Sequence, residues 1–320
     1  MQPYLRGRAV SLKSIKNTIK TRNSTIIYGN IAISLYMVSK VPIIEQCTVS
    51  ENVQQGIIVE DLAGYLARNK KLVFPHRHNF YHLLLFTKGG GKHTIDFETF
   101  EIVPWQIYFM SPGQIHTWSF EGEMDGFVVN FDKNFFKTFL LRPDYIGSFS
   151  FFSGLVRDEV FMVKGAEREL IVDTFQRLQT YMRDVDFARI SLLYIFHLLE
   201  KQRDLPLALR DDVYNHTLLR NFLNLIELNY KSLRLPKDYA ALLYITPNHL
   251  NALCREILGS SAGEIIRNRV LLETKRLLVI KDYTIAEIAY ELNFNDNSYF
   301  TKFFKKGEGV TPEEFRKKHI

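Results

Sequence analysis

Residues 284 to 316, TIAEIAYELNFNDNSYFTKFFKKGEGVTPEEFR, constrain this chain more than any other stretch. Thr284 and Glu287 have the spacing of a capping box. Ile285, Ile288, Ala289 and Leu292 recur at i, i+3, i+4 and i+7, which predicts a short helix with one apolar face. Asn293 stands where a chain leaving a helix turns through the left-handed region, and Asn tolerates that conformation better than most residues. Asp296 can cap a second helix that buries Phe300, Phe303 and Phe304. Its other side carries Asn297, Ser298, Thr301, Lys302, Lys305 and Lys306, a face of amides, hydroxyls and lysines instead of an acidic mix. Two short helices set at an angle predict a helix-turn-helix whose second helix fits a DNA major groove. An ordinary surface helix is the alternative reading of that face taken alone.

Ile288-Ala289, Leu292, Phe294, Ser298-Tyr299-Phe300, Phe304-Lys305-Lys306, Gly309, Thr311-Pro312 and Phe315-Arg316 together resemble the signature of the AraC/XylS family of transcription regulators. Asn293 departs from the pattern, which usually has Gly there. The resemblance implies a two-domain α+β protein: an N-terminal cupin-like β-barrel with flanking helices, and a C-terminal all-α domain with two helix-turn-helix units joined by a long helix. It further implies promoter DNA, a small-molecule effector and RNA polymerase as partners, dimerisation through the first domain, and a regulator instead of an enzyme.

The same design recurs upstream. Asn215 to Tyr230 and Pro236 to Leu243 read as helices, and Thr246-Pro247 opens a third with a hydroxyl cap and Pro at the first helical position. Leu250, Leu253, Cys254 and Ile257 form its buried stripe, which makes Cys254 a core residue. Asn248, Asn251, Ala252 and Arg255 form the opposite face. Asn can bond adenine bidentately and Arg can bond guanine or phosphate, so this face suits base edges. Between the two units, Ala262 to Val279 predicts one helix of about 27 Å. Major-groove segments on one face of a duplex recur about every 34 Å, so a connector of that length can seat both readers in successive grooves.

From Val73 to Phe131 the pattern changes to short strands: Tyr81 to Phe86, a Gly89-Gly90-Gly91 turn, His93 to Phe97, Ile107 to Met110 and Phe127 to Phe131. Pro75-His76-Arg77-His78 and Pro112-Gly113-Gln114-Ile115-His116 resemble the two halves of a cupin barrel motif. Strand alternation gives His76, His78 and His82 one parity, with His116 arriving from the second half. Four imidazoles can hold Zn²⁺ or another divalent ion; cupins of regulators generally need none, and no cofactor is expected. Tyr81, His93, Tyr108 and Trp118 are further candidates for the wall of an effector pocket, with sugars as one candidate class; each can instead be plain core. A metal-dependent cupin enzyme with an appended helical domain is one alternative function, weakened because His82 stands where such enzymes carry Glu; a DNA-binding dimer with no effector, whose barrel only dimerises it, is the other.

Asp132 to Leu141, Ala166 to Met182 and Asp186 to Lys201 read as helices, and the last two carry apolar residues enough for either the barrel or a second subunit. The expected domains are a basic arm or over-extended start over 1–50, with Met37 as the functional start, a sensing and dimerisation domain over 51–205, a linker over 206–213 and a DNA-binding domain over 214–320. The net charge of +6 is concentrated at the two ends, and Cys47 and Cys254 make neither a disulfide framework nor a metal knuckle. The apolar patch from Ile26 to Val38 is too broken for a secretory signal and too short for a span, so a cytoplasmic protein without membrane contact is expected.

Overall fold

The computed structural model describes residues 41–49, 56–69, 74–152, 156–203, 213–280 and 283–319. Residues 1–40 of the expected arm, with the start at Met37, and residues 206–212 of the expected linker lie outside them.

Among the described residues eight strands form one sheet: β1 Ile43–Ile44, β2 Ile57–Asp61, β3 His76–His78, β4 Tyr81–Ile95, β5 Glu98–Glu101, β6 Gln106–Met110, β7 Ile115–Phe131 and β8 Val160–Met162, in the order β1-β3-β7-β4-β6-β8 with β2 on β7 and β5 on β4. Two long strands organise it. β4 and β7 pair antiparallel from Tyr81 opposite Phe131 to Ile95 opposite His116, with register shifts between Phe86 and Gly90. The expected turn at Gly89-Gly90-Gly91 is therefore the bulged middle of one strand. Gly89 and Gly91 have φ of +108° and +110°, and a Cβ on Gly91 would lie 2.1 Å from the Ser119 carbonyl oxygen. Only glycine lets the strand bend there, so the triplet folds the sheet over without ending it.

Alternation assigns each strand residue to a face. Leu83 and Leu85 of β4, Ile107 and Phe109 of β6, and Phe127, Val129 and Phe131 of β7 meet Phe175, Leu178, Leu192, Phe196 and Leu199 of the covering helices. Leu84, Phe86, Tyr108, Met110, Trp118 and Val128 fill the interior of the folded sheet.

The helices are α1 Gln46–Val49, α2 Leu62–Arg68, α3 Val156–Glu159, α4 Arg168–Tyr181, α5 Val185–Gln202, α6 Val213–Asn229, α7 Pro236–Leu242, α8 Pro247–Leu258, α9 Ala262–Leu278, α10 Ile285–Glu291, α11 Asn297–Glu308 and α12 Pro312–His319. The expected helix over Asp132 to Leu141 is a run of turns. Asp132 Oδ1 accepts the Asn134 N–H, and Arg189 Nε donates to the Phe135 carbonyl, so backbone bonding is diverted while Phe135 and Phe136 enter the core. The expected boundary at residue 50 also moves. Ile43 and Ile44 pair in parallel with Arg77 and His78, and Ile44 and Val49 are buried in the sheet interior.

In the C-terminal part α9 serves two cores. Ile266 packs with Phe222, Tyr239, Leu250 and Cys254, whereas Leu271, Leu277 and Leu278 pack with Ile288, Leu292, Phe300, Phe304 and Phe315. Burial pushes the Cys254 thiol up to about 12, in keeping with a core role. The turn between β4 and β5 reaches this part: Phe97 meets the rings of Phe315 and His319, and Asp96 pairs with Arg276 of α9.

Candidate nucleic-acid interface and histidine pocket

α7–α8 and α10–α11 are two copies of one local design. In each, the first helix ends through a left-handed residue, Tyr244 at φ +56° and Asn293 at +57°. The next N–H then reaches back five residues, Ile245 to the Ala240 carbonyl at 3.0 Å and Phe294 to that of Ala289 at 2.8 Å. Thr246 and Asp296 cap the second helices by accepting the N–H of His249 and Tyr299, and both helices stop at a left-handed glycine, Gly259 and Gly309. Capping boxes then start the following helices, Ser261 with Glu264 and Thr311 with Glu314. The expected box of Thr284 with Glu287 is also formed. α9, at 17 residues or about 25 Å, is the connector anticipated from sequence.

The faces expected to meet DNA are largely open to solvent. Asn248, Ala252 and Arg255 on α8, and Asn297, Ser298, Lys302, Lys305 and Lys306 on α11, are exposed, while Thr301 is half-buried. Asn251 differs from expectation. Its Nδ2 donates to the Pro247 carbonyl and its Oδ1 accepts the Ala262 N–H, each at 3.1 Å, so the amide is engaged in joining α8 to the start of α9. Sequence reading missed three exposed aromatics on these units, Tyr244, Tyr290 and Tyr299. Aligning the repeats would have found Tyr244, which stands where the second unit has Asn293.

Inside the folded sheet His76, His78, His82, His93 and His116 are all buried. β3 supplies the first pair, and its register with β7 sets His76 directly opposite His116. One ligating nitrogen from each of His76, His78 and His116 lies within 4.8 Å of the others, and the Nε2 atoms of His78 and His116 are 2.7 Å apart. His82 flanks them, its ring centroid 4.8 Å from that of His78. His93 Nε2 sits 3.1 Å from His116 Nδ1. His93 faces inward although simple alternation from His82 would turn it outward, because the glycine bulges shift the register.

Burial lowers the pKa of all five, His82 to about 4 and His93 to about 3, and the rings of His78 and His116 are further disfavoured as cations by their neighbours. At neutral pH the cluster is a set of uncharged imidazoles. Trp118 joins it, its ring 5.0 Å from that of His116, and Tyr108 meets His93 at 4.8 Å. Tyr81 does not join. Its parity is opposite to that of His82, and it stacks on Phe131 at 4.8 Å on the helix-covered face. Trp118 also lines an open cavity of about 680 Å³ together with Phe120, Lys88, Glu123 and Asp125.

Comparison with known proteins follows this division. An AraC-like ligand binding domain matches residues 61–166, and a helix-turn-helix domain matches residues 239–318. The transcriptional regulatory protein YesN of Bacillus subtilis is 33% identical over 112 residues, which is 33% of this chain and 30% of YesN. The probable transcription factor PqrA of Proteus vulgaris is 38% identical over 68 residues, 21% of this chain and 56% of PqrA. The chain thus spans between about a third and just over half of these curated relatives. Crystalline ToxT of Vibrio cholerae, solved with an unsaturated fatty acid, aligns over 83% of this chain and 97% of its own, at 16% identity and a TM-score of 0.38. Among the described residues no helix is long and apolar enough to cross a membrane. The two domain matches, in this order along one chain and on the folded units just described, show that the chain belongs to the AraC family of transcription regulators.

Proposed function

We propose that the chain binds double-stranded promoter DNA in a sequence-specific way and changes transcription when a small molecule occupies its folded sheet. The observation that carries this reading is the duplicated unit: two helices with matched caps and turns present Asn248 and Arg255, and Asn297, Ser298 and Lys302, to solvent from either end of one rigid connector. Such faces suit base edges and phosphates in successive grooves. The cavity beside Trp118 has the size of a small-molecule site, and its aromatic floor with Glu123 and Asp125 suits a polyhydroxylated ligand such as a sugar. Both matched relatives are named as transcription regulators or factors, which favours regulation over a metal-dependent cupin enzyme.

The chain acts in the cytoplasm, with RNA polymerase as its downstream partner. It pairs with a second copy through α5, where Ile190 and Tyr194 are exposed while Phe196 and Leu199 of the same helix are buried. Selection of bound duplexes from a random pool tests the reading. An asymmetric motif with two half-sites about 10 bp apart is expected. Enrichment with no sequence preference, or none at all, would refute it.

A further inference from the structure

The histidine cluster does more than line a pocket. His76 Nδ1 lies 2.8 Å from the Phe74 carbonyl oxygen, which can only accept, so Nδ1 carries the proton and Nε2 is a bare lone pair. His82 repeats this with the Oδ1 of Asn130. His116 Nδ1 faces His93 Nε2, a ring nitrogen that can donate or accept, so that contact leaves the tautomer open. Two rings, those of His76 and His82, are thereby held in one tautomer with Nε2 turned away from the hydrogen-bond partner, and the Nε2 of His78 faces that of His116 at 2.7 Å, one of the two carrying the proton they share. The Nε2 atoms of His76 and His82 are buried and find no hydrogen-bond partner. Metal-ligating histidines are oriented in this manner, by an acceptor on the opposite ring nitrogen.

We propose that His76, His78 and His116 bind a divalent transition-metal ion through Nε2, with His82 at the flank as a fourth donor or as the neighbour of an open position. The donor chemistry selects the ion. Neutral imidazoles suit Zn²⁺, Cu²⁺, Ni²⁺, Co²⁺ or Fe²⁺ and not Mg²⁺ or Ca²⁺, which take oxygen. No carboxylate belongs to the three-residue group, so a bound ion keeps its full positive charge and prefers an anionic or hydroxyl-bearing co-ligand. Trp118, in contact with these rings and with the 680 Å³ cavity, sets the ion beside the space where an effector would lie. This inference rests on the sheet being the sensing site, but the two readings fail separately.

The test uses the full chain without a histidine tag, stripped with chelator and titrated with Co²⁺ and with Zn²⁺ alone. The expected result is one ion per chain, visible d–d absorption of nitrogen-ligated Co²⁺, and loss of about 100-fold or more in affinity in His76→Gln and in His116→Gln, with His249→Gln unchanged. Circular dichroism identifies any variant that does not fold, and the wild-type Co²⁺ spectrum then decides. Absence of those bands in the wild type, or binding that survives in both folded variants, overturns the metal site. Absence of the bands together with DNA binding that answers to a sugar would keep the proposed function and remove only the ion.

Discussion

Arg276 and Asp96, 180 residues apart in sequence, meet in a two-point ion pair: Nε donates to Oδ1 at 2.8 Å and Nη2 donates to Oδ2 at 2.7 Å. Arg276 belongs to α9, the connector between the two helix-turn-helix units. Asp96 belongs to the β4–β5 turn, where its backbone N–H donates to the Ile115 carbonyl and its Oδ1 accepts the Ile115 N–H. His116 follows directly. The pair thus joins the reader connector to the strand that carries a cluster histidine. Burial opposes the charge on Arg276, yet Asp96, with Glu273 and Glu227 beyond it, raises its pKa above the ordinary value.

Breaking that pair from one side should be costly, because the partner charge stays buried. Arg276→Ala is expected to lower stability by about 3–5 kcal/mol, and Asp96→Asn with Arg276→Met by clearly less than the two single changes added. A double-mutant cycle in urea measures this. Additive losses would mean that the two side chains do not couple.

The readers and anchors separate by chemistry. Arg255→Ala should relax base preference at particular positions by about 1–3 kcal/mol, whereas Lys305→Ala and Lys306→Ala should weaken all sequences alike and lower the salt slope by about one unit for each phosphate released. Asn251→Ala should cost roughly 1 kcal/mol of stability through the missing Ala262 cap. Titration against single-base operator variants at two salt concentrations resolves these outcomes. An Arg255 variant that weakens on all sequences equally would contradict the assignment.

Tyr244 is 96% exposed and sits in a left-handed conformation that disfavours a bulky side chain. Strain retained at an exposed turn of a reader unit points to use of the ring. Tyr244→Asn should therefore stabilise the fold by roughly 1 kcal/mol and weaken DNA binding. A variant that is both more stable and fully active would show that the ring does nothing for binding.

Glu159 is fully buried next to this junction, with Gln114 Nε2 donating to it at 2.6 Å. Burial raises its carboxyl to about 8, against the Gln114 bond, and nearby Asp96 adds to the rise. The folded state then holds a proton that the unfolded chain gives up near pH 4.5. Its contribution is full below pH 4.5 and is lost as pH climbs to 8. Glu159→Gln should remove a few kcal/mol of this decline. Melting curves from about pH 5 to 9 that fall equally in both proteins would refute the shift.

α11 approaches α9 closely at Gly307, where a Cβ would stand 2.3 Å from Leu271 Cδ1. Gly307→Ala should thus destabilise by about 1–3 kcal/mol despite the better helix propensity of Ala. Phe304→Ala, at a fully buried position of the same core, should cost about 3–5 kcal/mol. Urea unfolding compares them, and a stabilised Gly307→Ala would mean that the helices slide apart freely.

What the sequence by itself determined is what local chemistry controls. Caps, apolar stripes and the Asn293 turn are set by residues within one or two turns of each other, so both reader units and their connector were legible. Strand alternation likewise set His76, His78 and His82 on one face. The same rule, carried one residue further, excludes Tyr81. What only the tertiary structure decided depends on residues far apart in the chain. The glycine triplet reads locally as a turn, and only its close approach to Ser119 on β7 makes it a bulge that turns His93 inward. Asn251 reads as a free amide until folding brings the N–H of Ala262 against it. Asp96 and Arg276 carry no local signal at all; their pairing exists because the fold brings the β4–β5 turn against α9, where the two opposite charges are buried together.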